Sequence, residues 1–91
     1  MTQLREAKQK RRHPRIILEV EVLIVANGAI LLGRTQDISK SGVAAIIPVE
    51  LHVGAEAELQ IKLPTGTKTV RAIVRHRNVY HHGFEFVHSL A

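Results

Sequence analysis

The sequence has no cysteine, no tryptophan and only three aromatic residues, Tyr80, Phe84 and Phe86. Without cysteine, disulfides, thiolate nucleophiles and Cys-ligated zinc or iron–sulfur centres are excluded. With so few aromatics, any core must be built from Ile, Val, Leu and Ala. Proline is also scarce, at three residues. No apolar run approaches the ~20 residues of a membrane-spanning helix. The N-terminal charge is not followed by an apolar stretch, so no secretory signal is expected. A cytoplasmic protein without membrane insertion is the expectation.

What is present is an uneven charge. The chain of 91 residues carries 13 Lys plus Arg against 8 Asp plus Glu, a formal net charge of +5. Arg5, Lys8, Lys10, Arg11, Arg12 and Arg15 face a single acid, Glu6, in residues 1–15. The remaining bases and acids cancel, so the protein reads as a neutral body with a basic arm. That distribution argues against a histone-like protein that wraps nucleic acid over its whole surface. The length suits one domain and is too short for two. A domain of this size buries a little over ~60% of the surface of its unfolded chain.

Residues 2–12 are polar helix formers whose only apolar members are Leu4 and Ala7, too few to anchor a packed helix. Residues 1–15 are therefore expected to be a flexible basic arm, bounded by Pro14, with residues 16–91 forming the folded domain. Beyond Pro14 the apolar period becomes two. Leu18, Val20, Val22 and Ile24 alternate with Glu19 and Glu21, which predicts a half-buried strand. Asn27-Gly28 is a hairpin signal, and the chain returns as a second strand over 29–36. Residues 37–42 (DISKSG) read as a loop and 43–49 as a short apolar strand. Ala57, Leu59, Ile61 and Leu63 mark a fourth strand, and Pro64-Thr65-Gly66 turns the chain. Val70, Ala72 and Val74 mark a fifth strand over 68–77, and 83–87 is the last. Six strands joined by Gly, Pro and Asn turns, with no core helix, predict an all-β, six-stranded antiparallel β-barrel. Closure would also remove exposed sheet edges.

Two segments stand apart from this pattern. Arg11-Arg12-His13-Pro14-Arg15 places two arginines four apart just before the first strand. Asp37-Ile38-Ser39-Lys40-Ser41-Gly42 follows the second strand. As R-x-x-x-R followed by D-x-S-x-x-G, they resemble the PilZ domain, the bacterial receptor module for cyclic di-GMP. Gly83-Phe84-Glu85-Phe86 is similar to the G-hydrophobic-x-F of that family's last barrel strand. The resemblance runs from about Lys10 to Val87. It implies a receptor without enzymatic activity, needing no cofactor beyond its ligand cyclic di-GMP. Arg11, Arg15, Asp37, Ser39 and Gly42 are the implied ligand-binding residues, with Arg12 a weaker phosphate contact. Many family members carry a helix after the last strand, whereas this chain stops at His88-Ser89-Leu90-Ala91, so that helix is expected to be short or absent.

The chemistry of these residue types agrees with the resemblance. Arginine pairs bidentately with phosphate oxygens and stacks on purine faces. Asp37 offers acceptors suited to the N1–H and N2–H₂ donors of guanine. Side-chain oxygens in the Asp-x-Ser loop would hold the turn through backbone N–H groups. Gly42 is expected either to take a positive φ or to allow ligand and backbone to approach closely. Arg5, Lys8 and Lys10 would steer an anion without recognising it. The arm would fold over bound ligand and expose a new surface to a downstream protein partner. A monomer and a homodimer are both compatible with the sequence.

Other groups have simpler readings. Six histidines are present, yet no HExxH-type spacing converges three or four ligands, so no metal site is expected. His76 and His81 flank a hairpin and could meet across it, while His81-His82 would sit in a turn. Ser39 lacks a nearby base, which argues against a nucleophile and against an enzyme. Arg71, Arg75 and Arg77 are expected to face solvent, balanced by Glu56, Glu58 and Glu85. The alternative use of one of them is an auxiliary ligand contact. The competing functional class is a small nucleic-acid-binding barrel with a basic tail, but the scarcity of aromatics counts against nucleic acid. A third class, a protein-interaction module without ligand, conflicts with the intact arginine pair.

Overall fold

The computed structural model describes residues 14–90, in which seven strands and no helix occur. They are β1 (Ile16–Ile17), β2 (Glu21–Ala26), β3 (Ala29–Ile38), β4 (Gly42–Ile46), β5 (Glu56–Leu63), β6 (Gly66–Asn78) and β7 (His81–Phe86). Every pairing is antiparallel. β3 pairs with β2 and β4, β2 with β5, β5 with β6, β6 with β7, and β7 with β4. The ring is a closed six-stranded barrel, and β1 is one short strand added to β3.

Period-two alternation fills the interior. Val22, Ile24 and Ala26 of β2, Ala57, Leu59 and Ile61 of β5, Ala72 and Val74 of β6, and Phe84 and Phe86 of β7 are buried. Ile24, Leu59 and Ile61 have no exposed surface at all, and each such aliphatic contributes roughly 1.5–3 kcal/mol by leaving water. The core is aliphatic apart from the two phenylalanines, as the composition requires. Asn27 and Gly28 take φ of 53° and 76°, the left-handed pair that a tight two-residue hairpin demands.

The first strand departs from expectation. Ile17 pairs with Asp37 and Glu21 with Arg34, so Leu18, Glu19 and Val20 face only Thr35 and Gln36. One continuous strand is thereby broken into β1 and β2. The buried Thr35 staples the break. Its Oγ1 accepts from the Val20 N–H at 2.9 Å and donates to the Leu18 carbonyl, while its own N–H donates to the Val20 carbonyl at 2.8 Å. The C-terminal end is tied to the β3–β4 loop: the Phe86 N–H donates to the Ser41 carbonyl and the Leu90 N–H to the Lys40 carbonyl, both at 2.8 Å.

Candidate functional site

The residue that ends the arm and the residue that begins the DISKSG segment meet. Pairing of Ile16–Ile17 along β3 delivers Arg15 to Asp37. Arg15 Nε and its terminal NH2 both donate to Asp37 Oδ1, at 2.6 and 2.5 Å. The side chains are 24% and 34% exposed, so the pair sits at a half-wetted surface where charge-assisted hydrogen bonds are stronger than in open water. Both donors converge on one carboxylate oxygen. Among the described residues, Oδ2 accepts no hydrogen bond.

The segment that follows is tighter than a six-residue loop. Asp37 and Ile38 belong to β3 and Gly42 to β4, leaving only residues 39–41 as connection. The Ser39 N–H donates to the Gly42 carbonyl at 2.8 Å, and Ser39 Oγ accepts from the Ser41 N–H at 3.1 Å. Ser39 therefore holds the turn as expected of its type. Asp37 does not take part in that local bonding, because it is committed to Arg15 instead. Of the two expectations for Gly42, the positive φ is not found. A Cβ there would lie 2.3 Å from the Phe84 carbonyl oxygen. The missing side chain lets β4 approach β7, and the close neighbour is protein backbone. Arg11 and Arg12 lie outside the described residues.

Asp37 faces outward because β3 contains a bulge. The pairing of Thr35 with Ala45 is followed by that of Asp37 with Ala44, so Gln36 is the extra residue. Strict alternation from the buried Thr35 would have sent Asp37 into the core. A sequence read for period two carries no mark of that insertion.

Other groups are also placed. His81 and His82 both lie in β7, so the expected turn at these residues is shifted to Val79-Tyr80. His82 is 1% exposed. Its Nε2 accepts from the Leu51 N–H at 3.0 Å, its Nδ1–H donates to the Tyr80 carbonyl at 2.9 Å, and its ring stacks on Phe84. Both ring nitrogens are consumed by backbone, which makes His82 a structural residue. Arg71, Arg75 and Arg77 pair with Glu56, Glu85 and Glu50 at 2.6, 2.5 and 2.7 Å. Each has a carboxylate of its own, with Glu50 taking the place expected of Glu58. Among the described residues, no three His, Asp or Glu side chains converge to hold a metal.

Comparison with known proteins places this arrangement. The PilZ domain family model matches residues 9–91. Comparison with curated protein sequences gave no match. Among solved structures, the PilZ domain of Escherichia coli YcgR, determined with c-di-GMP, superposes with a TM-score of 0.76 at 19% identity, covering 87% of this chain and 79% of that one. The PilZ domain of CeSA from a cellulose-synthesizing bacterium gives 0.70 at 18% identity, with 85% and 83% covered. The Bacillus subtilis inhibitor of motility MotI/DgrA gives 0.74 at 20% identity, covering 89% of this chain but 44% of that one. The chain thus spans less than half the length of MotI/DgrA. With a family match over nearly its whole length and the barrel to go with it, the chain belongs to the PilZ domain family.

Proposed function

We propose that the protein is a non-enzymatic receptor for cyclic di-GMP, with residues 1–15 as its clamp and residues 16–91 as its platform. PilZ domains bind this dinucleotide, and the motif residues that would do so occur here in order. The observation that carries the reading is the junction of Arg15 with Asp37, which joins the two motifs into one cluster. Arg15 is oriented by Oδ1 and can turn its remaining guanidinium N–H groups to a phosphate. Oδ2 is left to accept from the donor edge of guanine. Ser39 shapes the turn beneath the ligand, and Gly42 allows β4 to close on β7.

In this reading ligand settles beside Asp37–Gly42, and Arg11 and Arg15 close on its phosphates with Arg12 assisting. Ordering the arm costs ~1–2 kcal/mol for each backbone residue fixed, which offsets part of the contact energy. The return is a defined surface that a downstream protein partner can recognise, in a cytoplasmic setting. Calorimetric titration with cyclic di-GMP, beside GMP and a short oligonucleotide, tests the assignment. Saturable heat from the dinucleotide alone is expected. No heat at tens of micromolar dinucleotide overturns the reading, and heat from the oligonucleotide instead would favour a nucleic-acid binder.

A further inference from the structure

Closing the ring leaves one strand partly uncovered. β3 is ten residues long and β4 only five. β4 first meets β3 where Ile46 pairs with Arg34. Ala29–Gly33 therefore have β2 on one side and, among the described residues, no strand on the other. The polarity of that open side follows from the hairpin. A two-residue turn is closed by a hydrogen-bonded pair, here Ala26 with Ala29, and bonded pairs recur at every second residue. Leu31 and Gly33 thus aim their N–H and C=O groups at β2, in step with Thr35, whose N–H donates to the Val20 carbonyl. Ile30 and Leu32 aim theirs at the open edge.

Side chains make this edge adhesive. Ile30 and Leu32 are 71% and 53% exposed. They pair across β2 with Val25 and Leu23, both half-buried, which makes an apolar block on the outer wall. The segment has no charge, no proline and no bulge, the devices that ordinarily keep a sheet edge from pairing. β6 has a comparable overhang, since β7 pairs with it only from Ala72 onward, and there Lys68 and Arg71 are exposed. One overhang is guarded by cations and the other is bare.

An edge of free N–H and C=O groups takes an extended strand. The basic arm fits it poorly, because its apolar members Leu4 and Ala7 are three apart and a strand would turn them to opposite faces. The same segment of a second copy fits throughout. Set antiparallel about a two-fold axis at Leu31, Ile30 of each chain faces Leu32 of the other, and each such pair exchanges both of its backbone hydrogen bonds. The two apolar blocks then run together on one face. The two Arg34 side chains lie at opposite ends of the pairing, about 20 Å apart, so no like charges are opposed.

We propose that Ala29–Gly33 is a self-association edge, through which two copies of the chain join their barrels by antiparallel β3–β3 pairing. A contact of so few residues falls short of the ~20–30 a side of a standard stable interface, so the dimer forms at high concentration and dissociates on dilution. Its centre lies about 20 Å along β3 from Asp37, so it does not depend on the ligand reading.

Sedimentation equilibrium of the ligand-free chain, from tens of micromolar to about a millimolar, tests the pairing. Leu32→Lys and Ile30→Lys are run beside wild type, with a thermal melt of each to establish folding. The wild-type average mass should climb toward that of a dimer. Each substitution is felt twice across the two-fold, which at the usual worth of cross-strand pairs should weaken association roughly tenfold. In the wild-type NMR spectrum the amides of Ile30 and Leu32 should gain exchange protection with concentration. Those of Leu31 and Gly33, already bonded to β2, should not change. A wild-type chain that stays monomeric at a millimolar overturns the proposal. So does a dimer that both folded variants form as readily, and so does growth beyond the dimer, which would mean a head-to-tail contact.

Discussion

The two flanks of the barrel obey different rules. β5 and β6 pair without interruption from Glu56–Ile73 to Leu63–Gly66, every residue facing its partner in strict alternation. On the flank that runs from β6 through β7 and β4 to β3, the β3–β4 and β6–β7 ladders each carry an inserted residue, and β1 is offset from β2 by another. The regular flank holds Arg71 against Glu56, a solvent-exposed pair of the kind that contributes little. The irregular flank holds Arg15 against Asp37. Regular pairing maximises ladder bonds and buries one face, whereas each bulge gives up a pairing to turn a polar side chain outward. The candidate site lies where the ladder is broken.

Substitutions test that contrast, and the largest effect is expected where two backbones touch. Gly42→Ala drives a methyl into the Phe84 carbonyl. It should destabilise the barrel by about 3 kcal/mol, lowering the melting temperature by ~10 °C or more. A melt within a degree or two of wild type would show that β4 and β7 can part cheaply.

Next comes the ion pair on the irregular flank. Arg15→Ala should weaken cyclic di-GMP binding ~100-fold by calorimetry and flatten its dependence on salt, since a phosphate contact is lost. The fold should lose only about 1 kcal/mol, because the pair is partly wetted. Asp37→Ala should weaken binding less and let an adenine analogue compete. Equal loss of binding and of folding in Arg15→Ala would make the residue structural.

Thr35→Val removes the hydroxyl that staples Leu18 to Val20. About 2 kcal/mol of stability should go with it in urea unfolding, since a half-buried N–H and carbonyl are left unpaired. Unchanged stability would mean that water or a local shift replaces the staple. The smallest effect belongs to the regular flank: Arg71→Ala should shift stability by no more than ~0.5 kcal/mol and leave ligand affinity unaltered. A marked loss of affinity there would erase the division between the flanks.

The barrel was legible because alternation is a local property. Val22 and Ile24, Ala57 to Ile61, and Ala72 and Val74 all point inward as their spacing predicts. Asn27-Gly28 announced its hairpin because few other residues adopt its backbone angles. The two motifs were equally visible as residue spacings. Less legible were the features that depend on a neighbouring strand. The role of Gly42 is set by the Phe84 carbonyl, and the break at residues 18–20 by Thr35. His82 looked like a turn residue until Leu51 and Tyr80 supplied partners for both of its nitrogens.

The absence of cysteine, the scarcity of aromatics, the basic N-terminus and the period of the apolar residues determined by themselves an aliphatic β-barrel without thiol chemistry. The spacing of the two motifs, with the family resemblance it carries, marked Arg15 and Asp37 as residues of interest. Only the tertiary structure decided that these two touch and that Asp37 points outward. Alternation is written in every second residue, whereas a bulge depends on which partner strand sets the register, and that partner lies far away in the chain.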